Sequence, residues 1–298
     1  DKNVALKVPH KQNLNFSELL REPRLPAALN HPNIVSITTA EKQENIFFIV
    51  MEYVEGKTLD DIITERGALN VDLALDYAVQ IGQAVDHAHR QGVVHRDLRP
   101  PNFLVSGNGI LKVADFGTSR FLEIAAHSTT VIGSPAYMAP EQFDGKAVFA
   151  SDLYSLGVTM YQMLTGTLPY DAPAPGDLDR LRSGKLVTPP RIKRPSIPKR
   201  FNDIVMNAMA ADLTIRYRKA IDLLDDLRSS KTLLPSTPDT ALTTGSATTK
   251  KEANEAREVR NIQERLKVQQ APEAKFCWHC HKPLHARTNR CPFCSEIQ

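Results

Sequence analysis

A hairpin near the middle of the chain constrains the fold more than any other feature. Phe103 to Val105 and Ile110 to Ala114 are short apolar runs, and Ser106-Gly107-Asn108-Gly109 between them is rich in turn-forming residues. Folding one run back on the other sets Asn102 across from about Val113, within two residues of Asp115. An amide oxygen and a carboxylate then meet at one end of the hairpin, and both are hard ligands of the kind Mg²⁺ takes. Asp97 lies just before the hairpin, so three oxygen-bearing side chains from two adjacent loops converge. Taken singly, each is an ordinary turn residue; the strings that surround them decide the matter.

The rest of the chain divides by pattern. Val4 to Val8, Ile34 to Thr39 and Ile46 to Met51 read as strands, the last two separated by a polar turn at Glu41 to Asn45. Phe16 to Leu29 has helical spacing interrupted by Pro23 and Pro26, which predicts a short or kinked helix. Helical character dominates from Leu59. Asn70 is placed to cap a helix carrying Leu73, Tyr77, Ile81, Ala84, Val85 and Ala88, with Gly92 at its end. Val93 to His95 is expected to be a short strand. Asp152 to Leu164 is apolar on nearly all sides and predicts a buried central helix; further helices are expected at about Asn202 to Ala211 and Lys219 to Ser229. After Ser230 the composition turns to Thr, Ser, Pro and Ala, a linker signature, followed by a charged helical spacer at Lys250 to Gln269.

The strings around the three oxygen ligands carry a resemblance. His95-Arg96-Asp97-Leu98-Arg99-Pro100-Pro101-Asn102 resembles the catalytic loop of protein kinases, and Asp115-Phe116-Gly117 resembles their metal-binding motif. Further landmarks follow in the family's order. Ala139-Pro140-Glu141 resembles the end of the activation segment. Asp152 falls where the family braces its catalytic loop, Arg216 where an arginine pairs with the glutamate equivalent to Glu141, and Lys7 in Val4-Ala5-Leu6-Lys7 where a lysine anchors phosphate. Residues 1–230 share the likeness. It implies an α+β, two-lobed kinase-like fold with a partial β-rich N-lobe and a helical C-lobe. It also implies a bacterial-type (Hanks-type) serine/threonine kinase using ATP and Mg²⁺ on Ser/Thr hydroxyls of protein substrates, itself among them.

The implied roles are specific. Asp97 would take the substrate hydroxyl proton; Asn102 and Asp115 would hold Mg²⁺; Lys7, positioned by Glu22, would pair with the α- and β-phosphates. Met51 is the expected gatekeeper, with backbone groups of Glu52 and Val54 meeting adenine. Arg99 stands where serine/threonine kinases have a lysine, keeping the charge but exchanging a point for a planar fork. Ser134, in Gly133-Ser134-Pro135-Ala136-Tyr137, stands where threonine is usual in the substrate-facing loop. A phosphate on Ser128, Thr129 or Thr130 is expected to pair with Arg96 and order the segment. The chain begins just before Lys7, so the first strands and the glycine-rich loop are expected to be lacking, and such a fragment to be weak or inactive. The rival reading is a pseudokinase or truncated scaffold that binds partners.

All four cysteines lie in the last 22 residues, as Cys277-x2-Cys280 and Cys291-x2-Cys294 separated by ten residues. This spacing suits a tetrahedral Zn²⁺ site and resembles a zinc ribbon, whose folding energy would come from the metal. The expected division is therefore residues 1–230 for the kinase domain, 231–273 for the linker and spacer, and 274–298 for the ribbon, which would recruit a protein partner. A net charge of +3 is too mild for a nucleic-acid footprint, and no apolar run reaches the roughly 18 residues of a membrane helix. A cytoplasmic location, without membrane or nucleic acid, is expected.

Overall fold

A computed structural model describes residues 3–8, 29–44, 46–116, 134–173, 175–232, 275–276 and 283–284. The expected helix bearing Glu22, the hydroxyls of Ser128 to Thr130, the spacer and the four cysteines lie outside them.

Strands β1 (Val4–Lys7), β2 (Ile37–Gln43) and β3 (Ile46–Glu52) form an antiparallel sheet in the order β1-β3-β2. In β1, Lys7 stands opposite Ile49 and Ala5 opposite Met51. β2 starts three residues later than the expected strand, at Ile37, and absorbs Glu41 to Gln43, which sequence polarity assigned to the turn. The ladder continues to the Gln43–Ile46 pair because backbone groups, indifferent to side-chain polarity, make its hydrogen bonds. Ile34, expected in the strand, instead forms an isolated parallel bridge with Val113.

The helical lobe opens with β4 (Gly56–Thr58) and α1 (Leu59–Arg66). Thr58 and Asp61 cap α1 reciprocally, each side chain taking the other's backbone N–H. Gly56 is required here because a Cβ would lie 2.0 Å from the Val105 carbonyl oxygen across the strand pair. α2 (Val71–Arg90) is capped by Asn70 as expected, its Oδ1 accepting the Asp72 N–H at 2.8 Å. The hairpin is β5 (Phe103–Ser106) and β6 (Leu111–Val113), with Phe103 opposite Val113. The Ala114 N–H donates to the Asn102 carbonyl at 2.8 Å, so Asn102 lies one residue from Asp115, closer than the sequence register implied.

The central helix α3 (Phe149–Thr165) is buried along almost its whole length. α4 (Leu178–Arg182), α5 (Pro190–Lys193), α6 (Lys199–Ala208) and α7 (Ala220–Thr232) complete the lobe. The core runs from Leu59 and Ile81 through Phe103, Leu153 and Tyr161 to Phe201 and Leu227. Val93 to His95 is not a strand. The His95 N–H finds a buried carboxylate, Asp152, in place of a neighbouring strand.

The contacts separate Asp1–Pro238 from Asp239–Gln298. In the second unit, β7 (Lys275–Phe276) and β8 (Pro283–Leu284) pair antiparallel.

Candidate active site

Asp97 stands at the meeting of three segments. Its Oδ2 accepts from Arg99 Nε at 3.3 Å and from Asn102 Nδ2 at 3.2 Å, and its Oδ1 accepts the Ser134 N–H at 3.2 Å. Asn102 also donates to the Asp97 carbonyl at 2.7 Å. Because both contacts use the amide nitrogen, the amide oxygen is left as a hard donor for a cation.

Asp115 follows β6 and adopts a positive φ of 67°. Its Oδ1 is 2.6 Å from Lys7 Nζ, which joins the two lobes across the cleft. The next residue, Phe116, is buried and meets His95 edge-on at 4.7 Å between ring centroids. His95 Nε2 lies 2.9 Å from the Ala114 carbonyl and must donate to it. That leaves Nδ1 to accept the Asp97 N–H at 3.2 Å, which selects one neutral tautomer.

Beneath the loop, Asp152 is fully buried. It accepts the His95 and Arg96 N–H groups and His89 Nε2, each at 2.8 Å. Burial by itself would raise its pKa. The His89 hydrogen bond and charge, with help from the His95 backbone N–H, outweigh burial and hold the carboxyl below its ordinary value. Arg96, the next loop residue, has φ of 71°.

Glu141 and Arg216 form a forked pair, with contacts of 2.6 and 3.1 Å. Ser151 Oγ also donates to Glu141 at 2.7 Å, and the Arg216 guanidinium rests 4.9 Å from the Tyr154 ring centroid. At the end of β3, Met51 lines a small pocket with Ile34, Val35, Phe116 and Asp115. Glu52 directs its carboxylate to Lys112 and Ser36, while Val54 is half-buried in the connection to β4.

Three residues of this arrangement were not singled out from sequence. His89 continues the Ile81 and Val85 face of α2 at a four-residue spacing, which is a usable signal for a buried, paired histidine. Gln142 accepts the Ala139 N–H at 2.9 Å and donates to the Arg96 carbonyl at 3.1 Å. Lys112, the third, alternates with buried Leu111 and Val113. Among the described residues, no three His, Cys, Asp or Glu side chains gather into a metal cage, and no helix is long and apolar enough to cross a membrane.

The protein kinase domain family model matches residues 1–230. The chain belongs to the protein kinase family. A probable serine/threonine-protein kinase of Clostridium perfringens is 37% identical over 235 residues, covering 76% of this chain and 34% of the relative. The serine/threonine-protein kinase PrkC of Bacillus subtilis is 37% identical over 238 residues, covering 77% of this chain and 37% of the relative. The chain thus spans about a third of the length of these curated relatives. Among solved structures, the crystal structure of Rad53 1–466 in complex with AMP-PNP aligns with a TM-score of 0.64 at 27% identity. That alignment covers 76% of this chain and 57% of the other. A sheet-rich small lobe on a helical large lobe is common to both.

Proposed function

We propose that this protein is a serine/threonine kinase that moves the γ-phosphoryl group of ATP to Ser/Thr hydroxyls of protein substrates, its own included. The observation that carries this reading is the meeting of Asp97, Asn102 and Asp115 at one end of the β5–β6 hairpin, with Lys7 facing them from β1. Asp97 is the proton acceptor: a substrate hydroxyl at its carboxylate loses its proton as the oxygen attacks phosphorus in line. Its contacts with Arg99, Asn102 and the Ser134 N–H fix the carboxylate before substrate arrives. Arg99 adds positive charge where the γ-phosphate would lie.

The donor set suits Mg²⁺, one amide oxygen and one carboxylate, and the ion when bound would neutralise phosphate charge. Lys7 would leave Asp115 for the α- and β-phosphates, with Glu22 as its positioning partner. Met51 would close the back of the adenine site, and backbone groups of Glu52 and Val54 would meet the base. Asp152, and the pair of Glu141 with Arg216, are assigned to bracing the loops around Asp97. Phosphate on Ser128, Thr129 or Thr130, which would pair with Arg96, is the proposed activating mark.

Residues 274–298 are proposed to be a zinc ribbon that recruits a protein partner, with Cys277, Cys280, Cys291 and Cys294 as ligands. In support, β7 and β8 flank the first cysteine pair and run antiparallel. Metal analysis of the reduced protein is expected to find one zinc per chain; finding none removes the ribbon. A cytoplasmic location is proposed, because ATP and the reduced thiols a zinc site needs are both available there.

The catalytic test uses protein expressed from the full coding sequence, with ATP, Mg²⁺ and a generic protein substrate. Phosphate transfer is expected for the parent and a loss of at least a hundredfold for Asp97→Asn, the scale of a general base. Equal transfer by both, or none by either, refutes the kinase reading.

A further inference from the structure

The sheet lobe and the hairpin that carries Asp115 meet at a small polar knot beside the expected adenine site. One Glu52 carboxylate gathers three donors there. Lys112 Nζ is 3.0 Å from Oε1 and 3.1 Å from Oε2, Ser36 Oγ is 3.2 Å from Oε2, and the Ser36 N–H is 3.3 Å from the same oxygen. The Glu52 N–H returns a bond to the Ser36 carbonyl at 2.9 Å, so the Glu52 backbone and side chain are both tied to one residue. Glu52 and Lys112 retain only 24% and 19% of their side-chain exposure, which strengthens the contact over one in open solvent.

Ser36 is itself anchored. The Val35 N–H donates to the Val113 carbonyl at 2.9 Å, and the Val113 N–H to the Asn33 carbonyl at 2.8 Å. Asn33 Nδ2 reaches the Leu111 carbonyl at 2.8 Å and Gln80 Oε1 at 2.9 Å. The end of β3 is thus fastened to β6 twice, through the Ser36 segment and through Lys112. β6 ends two residues before Asp115. A single three-residue strand therefore bears on both ends of the nucleotide site, the backbone that would meet adenine and the carboxylate that would meet the metal.

We infer that Lys112 and Ser36 are positioning residues for ATP, acting through Glu52 to hold the interlobe connection in its adenine-binding geometry. The inference rests on the kinase reading above. Without the tether, the Glu52 peptide gains rotational freedom that ATP must remove on binding, so the loss falls on nucleotide affinity. Proton transfer at Asp97 is not touched. A charge-assisted contact at a half-buried site, part of whose strength is screened, corresponds to a fold-change on the order of five.

The test compares Lys112→Met, Lys112→Arg and Ser36→Ala with the parent enzyme expressed from the full coding sequence. Lys112→Met is expected to raise the KM for ATP about fivefold, leaving kcat and the KM for protein substrate within twofold. Lys112→Arg keeps the contact and is expected to restore the parent KM; Ser36→Ala should give a smaller rise. Hydrogen exchange of the amides from Glu52 to Gly56, measured without nucleotide, is expected to quicken severalfold in Lys112→Met. An ATP KM within twofold of the parent in Lys112→Met, or a fall in kcat alone, overturns the inference while the parent's activity upholds the kinase reading. If the parent transfers no phosphate, the kinase reading fails, and unchanged exchange at Glu52 to Gly56 separately rejects the tether.

Discussion

Replacing Asp152 by alanine removes the acceptor for three donors at once: the His95 and Arg96 N–H groups and His89 Nε2, all at 2.8 Å. Solvent offers these donors little replacement in the native packing, since Asp152 is fully buried and the His89 side chain is only 9% exposed. Each buried donor left without a partner costs about 1–3 kcal/mol. Local relaxation and water entry recover part of that, which leaves about 3–5 kcal/mol, the range for breaking a buried polar network. With a slope of about 2 kcal/mol per molar urea, the unfolding midpoint followed by far-UV circular dichroism is expected to fall by roughly 2 M. The sign of the pH dependence follows from the depressed pKa of Asp152. Its stabilisation is fully present above the ordinary carboxylate pKa of about 4 and is lost as the pH falls through the lower, folded value. The gap between parent and Asp152→Ala should therefore narrow only below about pH 4. A midpoint shift under about 0.5 M at pH 7, or a gap that closes by pH 6, would refute the reasoning.

Gln142→Ala removes both the acceptor for the Ala139 N–H and the donor to the Arg96 carbonyl. A loss of about 2 kcal/mol in urea unfolding is expected, and phosphate transfer should fall through kcat, with the KM for ATP unchanged. Gly56→Ala forces a Cβ to 2.0 Å from the Val105 carbonyl oxygen, so β4 must part from β5. The expected cost is about 2–3 kcal/mol, read as a lowered midpoint in the same urea titration.

The elements most legible in the sequence are those whose signals are local. Asn70, the α2 stripe and the all-round apolar run of α3 each encode an element through contacts within a few turns, and their positions hold to within a few residues. The hairpin was legible for the same reason, its turn residues and flanking runs being contiguous. Polarity misled where backbone pairing decides: Glu41 to Gln43 look like a turn, yet the ladder runs through them to Ile46. Val93 to His95 misled in the opposite sense. Its apolar, β-branched start suggests a strand, but the His95 N–H is taken by a side chain from α3, 57 residues away in sequence. Gln142 and Lys112 could not be read at all, because their partners, Arg96 and Glu52, lie 46 and 60 residues distant and nothing local marks them.

The distant contacts fall where the backbone has no ladder of its own. Arg96 and Asp115 both have positive φ values, 71° and 67°, a conformation that costs a non-glycine residue about 1 kcal/mol or more. Neither lies in a helix or strand that would enforce it. Arg96 is held from both sides, its N–H by Asp152 and its carbonyl by Gln142. Asp115 follows directly on Ala114, whose N–H and carbonyl are bound by Asn102 and His95. His95 in turn binds Asp152 through its own N–H. A chain of contacts therefore runs from α3 through His95 to Ala114 and from Gln142 to Arg96, gripping both strained residues through groups the loops could not satisfy internally. Buried polar residues in α3 and after Ala139 are thus a consequence of placing Asp97 and Asp115 on irregular backbone. A site built on strands would not have needed them.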